Sequence, residues 1–163
     1  MTESHEVVIV GAGPADLRAA LVLARCRRNI LLCQAGEGRN HASHGIHGLL
    51  THEGDLPADF IAAAHKDLAR YPTVHRRNCE VIALRATHHG FEFTCDDGSG
   101  GRALKMLLAT GLRDELPSIA GVEAFYGCSV HHCLYCDGFE YADRPIAAFG
   151  AADKGANLAL MML

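Results

Sequence analysis

Two cysteines three positions apart, Cys133 and Cys136, are the residues of this chain best suited to chemistry. A Cys-x-x-Cys pair can close a disulfide, and a helix start lowers the thiol pKa, which favours a redox dithiol. With His131 and His132 the pair could instead ligate zinc, although adjacent histidines seldom point at one metal. The third alternative is two unrelated buried thiols. Asp137 follows directly, either to exchange protons with a departing thiolate or only as the carboxylate of an Asp-Gly turn.

A glycine-rich turn, Gly11-Ala-Gly13-Pro14, follows a β-branched run and precedes a helical pattern. In a dinucleotide-binding βαβ unit the first glycine permits the turn, the second admits the pyrophosphate and the third allows close helix–strand packing. The third position here is Asp16, whose charge beside a pyrophosphate would cost on the order of 1–4 kcal/mol. Gln34 ends the next strand where an acidic residue usually binds the ribose, and Glu37 is a possible substitute. The alternatives are an ordinary βα turn and a polar strand end.

The remaining histidines and cysteines are predicted to have no catalytic role. A histidine-rich loop covers residues 41–52, and its two glycines argue against the helix that would align metal ligands at this spacing. We therefore expect loop histidines rather than a metal site at His41, His44, His47 and His52. We also expect packing residues at the other five cysteines, which are Cys26, Cys33, Cys79, Cys95 and Cys128.

The amino-acid composition excludes several classes of protein. The chain has 163 residues, of which 49% are hydrophobic and 21% charged, the balance of a globular protein rather than a disordered or fibrous one. Its net charge of −4 provides no basic field for nucleic acid. We find no secretory signal and no apolar run long enough for a bilayer, so we expect a cytoplasmic protein with no membrane partner. Seven cysteines without a signal argue against a structural disulfide framework.

The elements that must position these residues follow from hydrophobic periodicity. A strand, the glycine turn, a helix from Pro14 and a second strand form a βαβ unit, which implies a parallel sheet. A second helix is predicted from Pro57 to Tyr71, then a β-meander of three short strands. A last strand and helix begin a second βαβ unit that the chain does not finish. The predicted strands are 6–10, 29–34, 80–85, 91–94, 104–109 and 145–149.

Four segments in order carry a resemblance to a known family: Val8–Pro14, Ala35–Asn40, Ala109–Pro117 and His132–Gly138. The chain resembles the N-terminal half of a bacterial thioredoxin-reductase-like, FAD-dependent pyridine nucleotide-disulfide oxidoreductase. The implied fold is α/β: a Rossmann-like FAD-binding βαβ domain with an inserted β-meander, plus the truncated start of a second nucleotide-binding unit. The implied domains are the N-terminal portion of an FAD domain at 1–116 and the incomplete start of an NAD(P)H domain, carrying the Cys-x-x-Cys, at 117–163.

The resemblance also implies site residues and partners. Electrons would pass from NAD(P)H to FAD, then to the dithiol and on to a disulfide of a thioredoxin-like protein or small molecule. Cys136 would face the flavin, Cys133 would be the interchange thiol and Asp137 the acid/base. The full-length family implies a homodimer. Implied FAD-binding residues are Gly11, Gly13, Pro14, Ala15, Gln34, Asn40, Val81, Ala109, Thr110 and Gly111; the second nucleotide turn contains Gly150 and Gly155.

Departures from the family keep other functions open. Asp16, Gln34 and Ala152 all replace residues expected to contact nucleotide, and the methyl group of Ala152 would crowd a phosphate. The chain also lacks the C-terminal part of the FAD domain and most of the NAD(P)H domain. The sequence around the dithiol is similar to flavin-dependent dithiol oxidases, which use oxygen and need no nicotinamide. The alternatives are such an oxidase, a truncated inactive remnant that binds no flavin, or a non-catalytic zinc protein.

Overall fold

The computed structural model describes residues 3–11 and 13–162, which form two compact units. The first unit contains residues up to His41 together with Ala58–Asp114. The second contains Ala42–Pro57 and the residues from Glu115 onward. Residues 42–57 therefore group with the later part of the chain, although they fall within the FAD domain predicted at 1–116. The functional boundary at residue 116 stays a prediction.

The first unit is built on one six-stranded sheet. Its strands are β1 Glu3–Val10, β2 Ile30–Gln34, β3 Val74–Asn78, β4 Val81–Thr87, β5 Gly90–Cys95 and β6 Gly100–Leu108. They lie in the order β3-β2-β1-β6-β5-β4. Strands β1, β2, β3 and β6 run parallel, while β5 is antiparallel to both β6 and β4. A parallel sheet with an antiparallel meander is the α/β architecture that the sequence predicts, and that prediction is confirmed.

Two helices belong to this sheet, α1 at Pro14–Arg25 and α2 at Pro57–Leu68. Pro14 stands at the start of α1, where its missing N–H costs no helical hydrogen bond and its ring presets the helical φ. The apolar positions of α1 recur at helical spacing and are buried against β1 and β2, as the periodicity predicts. This core cluster consists of Ile9, Leu17, Ala20, Ala24, Ile30, Leu32 and Leu68.

A second core cluster contains three buried cysteines, Cys33, Cys79 and Cys95, which we call the cysteine triad. Burial raises the pKa of the Cys33 thiol to about 11 and raises that of Cys79 as well. These thiols are therefore protonated at neutral pH. Their burial agrees with the packing role expected from the sequence.

The packing role predicted for Cys26 and Cys128 is wrong, because both side chains are exposed. Cys26 is the residue at the C-terminal end of α1, one position beyond the last helical residue, so it lies past the buried stripe of the helix. Cys128 lies in the turn that follows a short helix in the second unit. Neither position belongs to a core cluster.

Two strands of this sheet differ from the sequence prediction. Strand β3 was not predicted, because Val-His-Arg-Arg-Asn has no apolar alternation; it forms by parallel pairing with β2 at the sheet edge. Strand β6 begins at Gly100 rather than at residue 104, since Gly100 and Gly101 pair with Thr94 and Phe93 instead of forming only a turn. A Cβ at Gly100 would collide with the Phe93 carbonyl oxygen, which explains why glycine suits this close strand approach.

The second unit has short helices and connecting segments. The helices are α3 Val122–Phe125, α4 Leu134–Asp137 and α5 Asp153–Leu160, with a 3₁₀ turn at Phe139–Tyr141. The strand predicted at 145–149 is wrong: this segment has no regular secondary structure and no strand pairing. A strand needs a neighbour to accept its backbone hydrogen bonds, and no described residue pairs with this segment. None of the helices in the described part of the chain has the length and apolarity needed to cross a bilayer.

Candidate redox site and nucleotide-binding turn

Cys133 and Cys136 are joined by a disulfide at the start of α4. Their Cα atoms are 5.3 Å apart, a separation that the Cys-x-x-Cys spacing produces when the second cysteine lies in the first turn of a helix. Cys133 caps the helix and is half-buried, while Cys136 is exposed. The pair thus has the geometry that a redox dithiol requires. A zinc site at this pair would need both sulfurs as thiolates.

The glycine after Asp137 closes the helical turn that holds the disulfide. The amide of Gly138 donates to the carbonyl oxygen of Leu134 at 2.8 Å. A Cβ at this position would lie 2.5 Å from that same oxygen and 2.7 Å from Leu134 Cδ1. Any larger residue would therefore push the backbone away from α4, which explains the local sequence Cys-Asp-Gly.

Asp137 is paired with His131, which the sequence indicated only as a possible zinc ligand. Its Oδ1 lies 3.3 Å from His131 Nδ1, and the two side chains are 19% and 18% exposed. His131 Nε2 lies 3.2 Å from both the Tyr141 hydroxyl and the Cys128 carbonyl oxygen, and that hydroxyl donates to the same carbonyl. This network fixes the ring beside the Asp137 carboxyl group. Only the fold reveals the pair.

His132 points elsewhere, because its Nδ1 lies 2.9 Å from the hydroxyl of Tyr126. The two adjacent histidines therefore have separate partners. The contacts described for both imidazoles are with groups other than the disulfide sulfurs. This arrangement favours the redox interpretation of the cysteines over a shared metal.

The histidine-rich loop after His41 belongs to the second unit and makes contacts within it. His44 Nε2 lies 3.1 Å from the Sγ of Cys128. His47 Nδ1 lies 2.8 Å from Glu53 and 3.4 Å from Glu140. The hydrogen bond to Glu53 raises the pKa of His47, and the charges of Glu140 and Glu53 add to this effect against a smaller influence of burial. His44 and His47 are thus held by side chains of the second unit, and the prediction that this loop binds no metal stays a prediction.

In the first unit, the ends of three parallel strands meet at the glycine turn. The amide of Gly11 donates to the Cys33 carbonyl at 3.0 Å, and the amide of Ala109 donates to the Val10 carbonyl at 2.9 Å. Gly11 has a φ of 153°, and a Cβ there would collide with the Ala109 carbonyl oxygen. The turn therefore requires glycine and leads directly into α1, whose N-terminal end favours an anion through the helix dipole.

The end of β2 contributes polar side chains beside this turn. Arg76 Nε donates to Gln34 Oε1 at 3.1 Å, and Gln34 Nε2 lies 3.4 Å from His65 Nε2. Burial, followed by the charge of Arg76, lowers the pKa of His65. Gln34 is thus already held by neighbours that the sequence did not identify. Val81 begins β4 two residues after Cys79, whose amide donates to the Gln34 carbonyl.

Asp16 occupies the interior of the same turn. It is 0% exposed, and neither carboxylate oxygen has a hydrogen-bond partner among residues 3–11 and 13–162. A Cβ at Gly11 would lie 3.1 Å from its Oδ2, and one at Gly13 would lie 3.8 Å from its Oδ1. Burial raises the pKa of this carboxyl group. The turn fits a nucleotide pyrophosphate at its glycines, and Asp16 in its ionised form opposes one.

The second glycine turn, in the second unit, has a close contact between its two glycines. A Cβ at Gly150 would lie 2.6 Å from the amide nitrogen of Gly155. Ala152 caps α5 with φ 50° and ψ −131°, a conformation that favours glycine. The substitution noted in the sequence therefore strains the backbone at the residue where a phosphate would approach.

The remaining implied FAD residues also belong to the first unit. Asn40 Oδ1 lies 3.5 Å from where a Cβ of Gly38 would be, in the loop after β2. Thr110 and Gly111 follow β6, and Gly111 has a positive φ of 69°. Pro14 and Ala15 open α1. The contacts of these residues with a nucleotide stay predictions.

Known proteins are similar to this chain in sequence and in fold. The sequence pattern of the family described as "Pyridine nucleotide-disulphide oxidoreductase" matches residues 5–162. "Thioredoxin reductase aclD" of Aspergillus oryzae is 35% identical over 155 residues, which cover 93% of this chain and 49% of that protein. "Thioredoxin reductase tcpT" of Claviceps purpurea is 33% identical over 159 residues, covering 95% and 50%.

A solved structure shows the same similarity. An oxidoreductase from Agrobacterium tumefaciens is similar with a TM-score of 0.93 and 38% identity, over 98% of this chain and 54% of that one. The chain spans about half the length of the curated relatives it matches. Because the family pattern extends from β1 to the end of α5 and the fold agrees throughout, this chain belongs to the pyridine nucleotide-disulphide oxidoreductase family.

Proposed function

We propose that this chain provides the dithiol half of a thioredoxin-reductase-like disulfide oxidoreductase. The observation that carries the proposal is the Cys133–Cys136 disulfide, followed directly by an Asp137 carboxyl group that is paired with His131. This combination supplies a reversible two-electron group together with a proton carrier at the same helical turn. Family membership supports the same reaction class.

The exchange step uses only residues of this chain. In the reduced state, the Cys133 thiolate attacks one sulfur of a substrate disulfide, which releases one substrate thiolate and leaves a mixed disulfide. The Cys136 thiolate then attacks Cys133 Sγ and releases the second substrate thiolate. The chain returns to its disulfide, and the substrate has gained two electrons. Asp137, oriented by His131, provides the proton for the substrate thiolate that departs.

FAD and NAD(P)H are proposed as the cofactors that reduce the dithiol. FAD would supply a two-electron reduction of the disulfide when bound. Gly11 and Gly13 would approach its pyrophosphate, the start of α1 would offer backbone N–H groups, and Gln34 would contact the ribose. Asn40, Val81, Ala109, Thr110 and Gly111 complete the proposed set, and Gly150 and Gly155 would serve NAD(P)H.

The substrate is proposed to be a thioredoxin-like protein or a small-molecule disulfide. Two large side chains beside the dithiol are almost fully exposed, Tyr135 at 82% and Phe139 at 88%. Such aromatic side chains provide contact area for an incoming partner. A homodimer and a cytoplasmic location are part of the same proposal.

Thiol exchange tests this function without any cofactor. The chain carrying Cys26→Ser and Cys128→Ser is reduced, desalted under argon and mixed with oxidised glutathione. We expect Cys133 and Cys136 to become a disulfide, with two glutathione thiols released per chain; mass spectrometry of the peptides and a thiol assay measure both. In Cys136→Ser a Cys133–glutathione mixed disulfide should accumulate, because no second thiol resolves it.

Cys133→Ser is the matched comparison. We expect exchange at the remaining Cys136 to be slower on the order of tenfold, since Cys133 is the proposed interchange thiol. Equal rates for Cys133→Ser and the parent would contradict the assigned order of attack. Failure of the parent to oxidise its dithiol would contradict the proposed function itself. Oxygen consumption in the presence of FAD and excess dithiol, without nicotinamide, would instead support a dithiol oxidase.

A further inference from the structure

The cysteine triad brings together three thiols from different parts of the first unit. Cys33 lies in β2, Cys79 follows β3 and Cys95 ends β5. Their sulfur atoms all lie within 4.8 Å of one another, and those of Cys79 and Cys95 are 2.9 Å apart. Each side chain is at most 5% exposed. Long-range strand pairing, rather than a short sequence motif, creates this convergence.

The surroundings of the triad are apolar on most sides. Val8, Val10, Leu31 and Phe93 belong to the same cluster. No carboxylate or imidazole in the described ranges joins the three sulfurs as a further ligand atom. The triad is therefore a set of soft donors closed to water.

The positively charged side chain of Arg77 lies beside the cysteine triad. Arg77 is the register partner of Cys33, and its charge interacts with Cys33 and Cys79. The guanidinium group is held by Glu3 and by Ser99. A negative charge that formed on the sulfurs would thus have a fixed positive charge nearby, which reduces the cost of burying it.

The donor number and type select the metal. Thiolates favour soft ions such as Cu(I) as well as zinc. Zinc takes four ligands in structural sites, whereas this enclosure offers three. With metal–sulfur bonds of about 2.3 Å, a trigonal site places its sulfurs about 4.0 Å apart. Cys79 and Cys95, whose sulfurs are 2.9 Å apart, have to separate by about 1 Å to meet this geometry.

We propose that Cys33, Cys79 and Cys95 form a trigonal thiolate site for Cu(I). Binding replaces three S–H bonds by three Cu–S bonds, and the three protons leave to solvent. Copper enters and remains in the monovalent state, so no electron is transferred. Cys79 has the largest exposed fraction of the three and lies between β3 and β4 rather than within a strand, which makes it the point of entry.

The test uses the full chain with Cys26, Cys128, Cys133 and Cys136 all changed to serine, so that only the triad has thiols. The reduced protein is titrated anaerobically with Cu(I) in competition with bicinchoninate. We expect one copper per chain, an ultraviolet sulfur-to-copper charge-transfer band, and an X-ray absorption shell of three sulfurs at about 2.3 Å. The bound metal should also raise the thermal midpoint of unfolding.

Cys95→Ala in the same background should lose the stoichiometric copper while keeping its circular dichroism spectrum. If that variant unfolds, the number of sulfurs in the X-ray absorption shell of the protein with the intact triad tests the site by itself. Transfer of all copper to bicinchoninate, or a shell with fewer than three sulfurs, would overturn the site. So would a Cys79–Cys95 disulfide that persists under reducing conditions, since two of the donors would then be consumed.

Discussion

Asp16 shows at the scale of one residue how a local departure from a family pattern acts through burial. A carboxyl group that is 0% exposed pays a desolvation cost on ionisation, which the nearby backbone amides of Gly13, Asp16 and Leu17 offset only in part. The fold responds by raising its pKa. The unfolded chain, in which this group titrates near 3.9, has no such cost.

We therefore predict that Asp16→Asn stabilises the chain at neutral pH. The folded-state pKa is raised, so the wild-type chain loses stability as pH rises from about 4 through the folded-state pKa, and the loss persists above it. The neutral amide removes this loss, which we expect to be about 1–3 kcal/mol at pH 7. Urea unfolding at pH 4 and pH 7 measures the free energy of unfolding for both proteins.

Asp59→Asn is the control, because Asp59 is also in the first turn of a helix but is exposed. Its substitution should change stability by less than about 0.5 kcal/mol at either pH. An Asp16→Asn chain whose advantage is no larger at pH 7 than at pH 4 would show that the carboxyl group does not titrate as the burial implies.

At the scale of an element, the start of α5 combines a close glycine contact with a strained alanine. Gly150 and Gly155 approach so closely that neither tolerates a Cβ without movement. Ala152, which caps the helix, has a φ of 50° and no side-chain hydrogen bond to the first amides. The helix forms although its capping residue, Ala152, is poorly suited to the positive-φ conformation, because the glycines define the turn.

Ala152→Gly should therefore stabilise the second unit. The strain energy that is released at positive φ exceeds the free-energy cost of the greater entropy that glycine gives the unfolded chain. We therefore expect the free energy of unfolding to increase by about 1 kcal/mol. The free energy of unfolding in urea provides the measurement, with amide hydrogen exchange in α5 as a local readout.

The neighbouring Ala151→Gly substitution is the matched control, since Ala151 does not have a positive φ. It should destabilise the chain by about 0.5–1 kcal/mol through unfolded-state entropy alone. If Ala152→Gly destabilised the chain as much as Ala151→Gly does, the backbone strain at Ala152 would be refuted.

At the scale of the whole molecule, the chain is organised as two units that do not follow the order of the motifs. The glycine turn of α1 and the end of β2 belong to the first unit, while the dithiol belongs to the second. Residues 42–57 join the second unit, so His44 and His47 contact Cys128 and Glu140, which are far away in sequence. Cofactor binding and dithiol chemistry can consequently be tested separately.

We predict that the wild-type chain binds FAD more weakly than its Asp16→Gly variant by about tenfold or more, because a buried like charge beside the pyrophosphate is removed. Isothermal titration calorimetry and quenching of FAD fluorescence give the dissociation constants. Asp16→Asn separates charge from volume: recovery equal to that of Asp16→Gly identifies charge as the cause, and a smaller recovery identifies the space that the side chain fills.

Equal affinity of wild type and Asp16→Gly would contradict any role of Asp16 in nucleotide binding. Gly13→Val, at the position where a side chain would occupy the approach of the pyrophosphate, is the negative control and should weaken binding in the Asp16→Gly background. These measurements do not depend on turnover, so they remain informative whatever the activity of the dithiol.

The features that the sequence determined by itself are the local ones. The β-branched run, the glycine turn and the apolar spacing of α1 specify the βαβ unit, because strand and helix periods act over a few residues. The Cys-x-x-Cys spacing likewise specifies a pair that can close a disulfide within one helical turn. These elements agree with the structure in type and differ only at their ends.

The tertiary structure decided the contacts between distant positions. The polar segment Val74–Asn78 becomes a strand only because β2 offers it a parallel partner, and the apolar segment 145–149 forms none because it has no partner among the described residues. The His131–Asp137 pair depends on the turn that closes at Gly138. The convergence of the cysteine triad depends on strand register. Register and pairing are set by the whole sheet, so no local pattern could have predicted these sites.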